Sequence, residues 1–160
     1  MSGGRLLRRN CRRSEKVRQL RIRRPVPESV AVVLVDTSFW IRELQTSRNF
    51  DQIAPLPEIA TCPPVIQEVL QGIRLEPAYR TTRELFLSLH ILESPMSIQV
   101  FEEGAQIYRT GRALGVTIRS SVDCLIAACA IRNGVPVLHS DRDFDAIARF
   151  TPLRSRYVRT

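Results

Sequence analysis

The chain has 160 residues, 44% hydrophobic and 25% charged, with a formal net charge of +8. That length suits one domain with a packed core, and the composition is too mixed for a disordered chain. No apolar run approaches the ~20 residues of a membrane span, and no compact apolar segment near the N-terminus marks a secretory signal, so a cytoplasmic protein is expected.

Residues 1–29 hold ten basic and two acidic residues, and residues 30–160 hold fourteen of each, so the whole excess lies in the first segment. Its Arg pairs, Gly-Gly start, Pro25 and Pro27 set it apart. It reads as a nucleic-acid-binding arm, as an Arg-rich targeting peptide, or as a stretch that is disordered or lies upstream of the true start. The last carries most weight, because Val30, Val32 and Val33 begin the first strand and valine codons can initiate translation in bacteria. The only lysine, Lys16, also lies there. A phosphate-binding loop, a Schiff-base enzyme or a phospho-receiver in the folded part is thereby excluded.

The folded domain is expected over residues 30–160. Residues 29–35 form a continuous apolar, β-branched run, as in a strand buried on both faces. It stops at Asp36-Thr37-Ser38, and a helix continues through Leu44. Residues 58–62 are strand-like, and Pro63-Pro64 opens a helix from Val65 to Ile73. Two helices follow, at about 77–92 with Leu85, Phe86 and Leu89 on one side, and at 98–114 with Ile98, Phe101, Ala105 and Tyr108 at helical spacing. Gly104, Gly111 and Gly115 mark close packing or a C-terminal cap. Residues 116–118 are a short strand or linker. Ser120 or Ser121 caps a helix over 122–131, closed by Asn133-Gly134, and residues 135–139 form a second buried strand. Unalternating strands separated by helices mean an α/β fold with a mainly parallel sheet.

Cys11, Cys62, Cys124 and Cys129 contain no Cys-x-x-Cys pair, and Cys124 and Cys129 fall in an apolar helix, as buried free thiols do. His90 and His139 are too few and too isolated for a zinc site.

In open α/β sheets the ligand site lies beyond the carboxyl ends of the strands. Asp36 follows the first strand, and Asp141 follows the last strong one after a serine, so both should reach one edge. Singly, Asp36 reads as a helix cap and Asp141 as an Asx-turn. Asp123 stands in a helix apolar nearly all round, where an unpaired carboxylate costs several kcal/mol; its alternative is a Ser120-x-x-Asp123 capping box. Glu68 lies just outside the apolar arc of Val65, Ile66, Val69, Leu70 and Ile73, as a solvated flank residue also would. Jointly, four acids at strand ends and helix starts converge on one pocket. They cannot all stay ionised without cations, and hard oxygen donors without His or Cys select Mg²⁺ or Mn²⁺. Such a centre serves phosphodiester hydrolysis.

VLVDTSFWI at 33–41, PPVIQEVLQGIR at 63–74 and GVTIRSSVDCLIAACAIRNGVPVLHSDRDF at 115–144 resemble the PIN-domain ribonucleases, specifically the VapC-type toxins of toxin–antitoxin pairs. The similarity runs from residue 32 to about 153. It implies a three-layer α/β/α fold with a sheet of four or five parallel strands, a divalent-metal-dependent endoribonuclease, and an acidic quartet on Asp36, Glu68, Asp123 and Asp141. Asp143 would assist the metal or only hold its loop, and Thr37 or Ser38 would orient the first aspartate. The resemblance also implies RNA as substrate, a cognate antitoxin and a homodimer. Such toxins usually begin within a few residues of the first strand, so residues 1–29 depart from the pattern.

Arg112, Arg119 and Arg142 flank the acids in sequence and are candidates to grip phosphates, against the alternative of solvated surface arginines. Trp40 reads as a core residue before a base-stacking or dimer-interface one. Two other functions compete: a non-catalytic RNA-binding or scaffold protein using the basic tail, and a nuclease acting on structured DNA.

Overall fold

The first apolar run forms the middle strand of a five-stranded, all-parallel sheet in the computed structural model, which describes residues 32–46 and 58–158. Residues 1–29, and with them the readings of the basic tail, lie outside the described residues. In chain order the elements are β1 (Val33–Val35), α1 (Thr37–Thr46), β2 (Ile59–Thr61), α2 (Pro63–Gln71), α3 (Glu76–Ser88), β3 (His90–Ile91), α4 (Ile98–Ala113), α5 (Ser121–Asn133), β4 (Val137–His139), α6 (Arg142–Ala148) and β5 (Ser155–Tyr157). The strand order is β3-β2-β1-β4-β5. The expected three-layer α/β/α architecture is therefore the observed one, with all five strands parallel.

This order places the site. The chain builds β1, β2 and β3 outward in one direction, then returns to lay β4 and β5 on the other side of β1. Leu34 pairs with Val137 and Val35 with Leu138. The carboxyl ends of β1 and β4 therefore flank the point where the order reverses, which is where open parallel sheets form a crevice. Val33, Leu34, Val35, Val137 and Leu138 are all buried, as their unalternating apolar character requires. Trp40 joins this core at 1% exposure, its ring 4.8 Å from that of Phe86. It is a packing residue and not a stacking platform.

Proline begins α2, where its missing N–H costs no helical bond, and Gly134 closes α5 in the left-handed conformation at φ 61°. Ser120, rather than Ser121, caps α5: its Oγ accepts the Val122 N–H at 3.2 Å. Cys62, Cys124 and Cys129 are buried free thiols. Among the described residues no helix is long and apolar enough to cross a membrane.

Residues 116–118, expected as a short strand or linker, are a linker without strand pairing. Two expectations need correction. The helix expected over 77–92 ends at Ser88, and His90–Ile91 form β3, paired in parallel with β2. The buried face of α4 differs from the expected one. The helix buries Val100, Gly104, Ile107 and Gly111, while Ile98 and Phe101 are exposed. The glycines explain it. A Cβ at Gly104 would lie 2.9 Å from Leu125 Cδ2 and 3.5 Å from the Cys124 carbonyl oxygen, so glycine lets α4 lie close against α5. Close approach, not side-chain hydrophobicity, chose the buried face.

Candidate active site

Asp36 leaves β1 at the crevice. Its backbone N–H donates to the Leu138 carbonyl at 2.9 Å, continuing the β1–β4 ladder, and its own carbonyl accepts from Phe39 and Trp40 N–H to start α1. The carboxylate is buried, and Oδ2 accepts both the Ser38 N–H at 2.9 Å and the Ser38 hydroxyl at 2.6 Å. Asp36 thus caps its helix and faces the site at once. Burial pushes its carboxyl up from the ordinary value, against the lowering by the Ser38 and Thr37 bonds.

Ser38 does more than hold Asp36. Its Oγ also accepts the Ser140 N–H at 3.0 Å, while Ser140 Oγ accepts from Arg42 Nη1 at 3.0 Å. The turn after β1 is thereby tied to the turn after β4. Ser140 and Arg42 were not anticipated from the sequence. The signals were present: Ser140 stands between the strand end and Asp141, and Arg42 lies one helical turn after Ser38, on the same side of α1.

The two hydroxyls share the work. Ser38 orients Asp36, whereas the Thr37 hydroxyl donates to Glu68 Oε2 at 2.7 Å, fixing the α2 carboxylate beside the first turn of α1.

Asp123 occupies the first turn of α5 and is buried. It is not the solvated member of a capping box. Carboxylate oxygens of Asp123, Asp141 and Asp143 all lie within 4.8 Å of one another. Burial, and then the charges of Asp36, Asp141, Asp143 and Glu68, push the Asp123 carboxyl up to about 8. All five acids therefore act on one spot, with three in the tight group and Asp36 and Glu68 around it.

Asp141 is the N-cap of α6, its Oδ1 accepting the Asp143 N–H at 3.0 Å. The turn reading of this residue holds, and its carboxylate also lies in the acidic group. Asp143 is 4% exposed; its Oδ2 accepts the Arg119 N–H at 2.7 Å and its Oδ1 accepts from Arg119 Nε at 3.1 Å. The Arg119 guanidinium also pairs, through Nη2, with Asp141 Oδ1. Of the three flanking arginines, Arg119 is thus joined to the acids. Arg112 and Arg142 are exposed, on the last turn of α4 and the first position of α6.

The donor set answers whether a metal fits. It is all carboxylate oxygen, suited to a hard divalent ion. Burial, and then the neighbouring like charges, push Asp123 up to about 8, so a cation would favour the fully ionised cluster. His139 is buried between the rings of Phe144 and Tyr157, at 5.0 Å and 5.6 Å, and desolvation lowers its pKa. It lies on β4 while His90 is exposed on β3, so the two histidines form no shared site.

Comparison with known proteins agrees with this geometry. Residues 33–150 match the family model described as the PIN domain. The chain is 36% identical over 135 residues to Ribonuclease VapC11 of Mycobacterium tuberculosis (strain ATCC 25618 / H37Rv), an alignment spanning 80% of this chain and all of that protein. The VapC ribonuclease Mb1587 of Mycobacterium bovis shows the same identity and coverage. Among solved structures, VapBC2 from Rickettsia felis bound to a promoter DNA fragment has a TM-score of 0.65 at 17% identity, covering 80% of this chain and 99% of that one. DNA-bound VapBC from Salmonella typhimurium has a TM-score of 0.63 at 18% identity, covering 79% and 97%. The structural matches show the shared fold.

Proposed function

The chain belongs to the PIN-domain family, and from that premise we propose that it is a divalent-metal-dependent endoribonuclease, the toxin of a toxin–antitoxin pair. It hydrolyses RNA phosphodiester bonds in the cytoplasm and is held in check by a small antitoxin protein. The names of its ribonuclease relatives and of the toxin–antitoxin complexes that share its fold support that reading. The observation that carries it is the acidic cluster in which carboxylate oxygens of Asp123, Asp141 and Asp143 lie within 4.8 Å of one another, with Asp123 raised by burial and by its acidic neighbours.

Asp36, Glu68, Asp123 and Asp141 are the residues that would hold Mg²⁺ or Mn²⁺. When bound, the ion supplies charge neutralisation at the phosphodiester and a water acidic enough to attack at neutral pH. The chain's own groups prepare that chemistry. Ser38 fixes the Asp36 carboxylate, Thr37 fixes Glu68, and the Ser38–Ser140 bond keeps the two strand ends in register. Burial and the neighbouring acids favour the protonated form of Asp123, and a bound cation would favour its carboxylate. Arg112, Arg119 and Arg142 would serve as grips for the RNA backbone.

The test is cleavage of RNA by the purified protein with Mg²⁺ or Mn²⁺, with and without EDTA, beside Asp36→Asn and Asp123→Asn. Cleavage should need the metal and both aspartates. Activity that survives chelation or both substitutions overturns the reading.

A further inference from the structure

Arg119 makes three bonds to two acids of the cluster. Its backbone N–H and its Nε take the two oxygens of Asp143, at 2.7 Å and 3.1 Å, and its Nη2 pairs with Asp141 Oδ1. The two ends of this clamp differ. The Asp143 side chain is 6% exposed, whereas that of Asp141 is 35% exposed and the arginine side chain itself 65%. An exposed ion pair competes with water and is easily exchanged. A bond to a buried carboxylate, reinforced by the arginine's own backbone, is not.

From this asymmetry we propose that Arg119 is a built-in counter-cation that occupies the Asp141 side of the metal site and pivots on Asp143 when a divalent ion takes its place. The inference rests on reading the acids as a cation site, and it gives Asp143 a definite part. Both Asp143 oxygens are committed to Arg119, so Asp143 is a positioning residue that anchors the arginine, not a metal ligand. A guanidinium is always charged, so it and the incoming ion cannot share Asp141 without repulsion. The Asp141 end lets go, the Asp143 end holds, and the freed fork stands beside the cluster, where the geometry suits a backbone phosphate. Asp141 and Asp143 raise the Arg119 pKa, consistent with their clasp on it.

The decisive measurement is Mn²⁺ binding to the full chain, followed by calorimetry in the absence of RNA. Removing the competing cation with Arg119→Gln should tighten Mn²⁺ binding about 5-fold, while cleavage at saturating Mn²⁺ falls. Asp143→Asn should bind Mn²⁺ within about threefold of the wild type, whereas Asp123→Asn should weaken it by about 100-fold or more. Arg119→Gln with unchanged or weaker Mn²⁺ affinity overturns the counter-cation. Asp143→Asn as damaging as Asp123→Asn makes Asp143 a ligand and overturns the pivot. If Asp123→Asn binds Mn²⁺ as the wild type does, the cation site itself fails, and the inference falls with it. On the unsubstituted protein, nitrogen NMR of the Arg119 side chain gives a second readout that does not depend on a variant folding. Mg²⁺ should free rotation about the Nη2 end and leave the Nε–H bond to Asp143 in place; an Nη2 end that stays restricted at saturating Mg²⁺ sinks the proposal.

Discussion

Asp36 enters the crevice from between β1 and α1 and Asp123 from the first turn of α5, and their surroundings differ in kind. The α1 side is finished by the chain itself: Ser38 gives Asp36 two hydrogen bonds, and Ser140 ties the arrangement to β4. The α5 side is left electrostatically incomplete. Burial, and then the charges of Asp36, Asp141, Asp143 and Glu68, push the Asp123 carboxyl up to about 8. One region is preorganised by hydrogen bonds, whereas the other gathers carboxylates whose mutual repulsion a cation would offset.

The sharpest way to break this contrast is Asp123→Asn. Cleavage should fall by about 10³-fold, comparable to losing a major group that stabilises transition-state charge. In EDTA at pH 9 the same variant should melt at a higher temperature than the wild type, because the substitution removes a buried repulsion. A cluster that is only structural would show no such opposition between activity and stability.

The pH dependence of the metal-free protein comes next. The folded pKa of Asp123 lies above its unfolded value near 3.8, so the native state binds more protons than the unfolded one between roughly pH 4 and 8. Its contribution to stability is therefore greatest below that window and is lost as the pH rises through it, on the order of a few kcal/mol. Thermal melts in EDTA should fall from pH 5 to about pH 8 and level off above it, and saturating Mg²⁺ should flatten the decline. Equal slopes with and without Mg²⁺ would remove the cation from the account of Asp123.

Ser38→Ala probes the finished side. It removes the hydroxyl that links Asp36 to Ser140, and cleavage should fall by about 10–100-fold, as when a supporting partner of a metal-binding group is lost. Mn²⁺ affinity should weaken with it, which calorimetry would show. The smallest effect expected is from deleting residues 1–29: cleavage should stay within about twofold of the full chain, because the domain's own acids carry the chemistry. A large loss would favour the basic segment as a working RNA grip.

Much of this site was legible because its residues sit where the chain changes character. Asp36 ends an apolar run, Asp141 follows another, and Asp123 interrupts a helix that is otherwise apolar. Such breaks are visible without coordinates. The misses had other physical causes. β3 is two residues long, and β5 is Ser155–Tyr157 on a sheet edge, too short or too polar to show a strand period. The face of α4 was inverted because glycine contributes nothing to a hydrophobic pattern yet allows the closest packing. Arg119, Ser140 and Arg42 were either ambiguous or unnoticed, since choosing among nearby partners depends on how separate turns meet in space.

Leu34 lies beside Val137, so the crevice closes only after almost the entire domain has been made. A ribosome partway through the message carries a chain with Asp36 and Glu68 but without Asp123 and Asp141. Such a chain holds half of the acidic cluster, and the site is completed only near the end of synthesis.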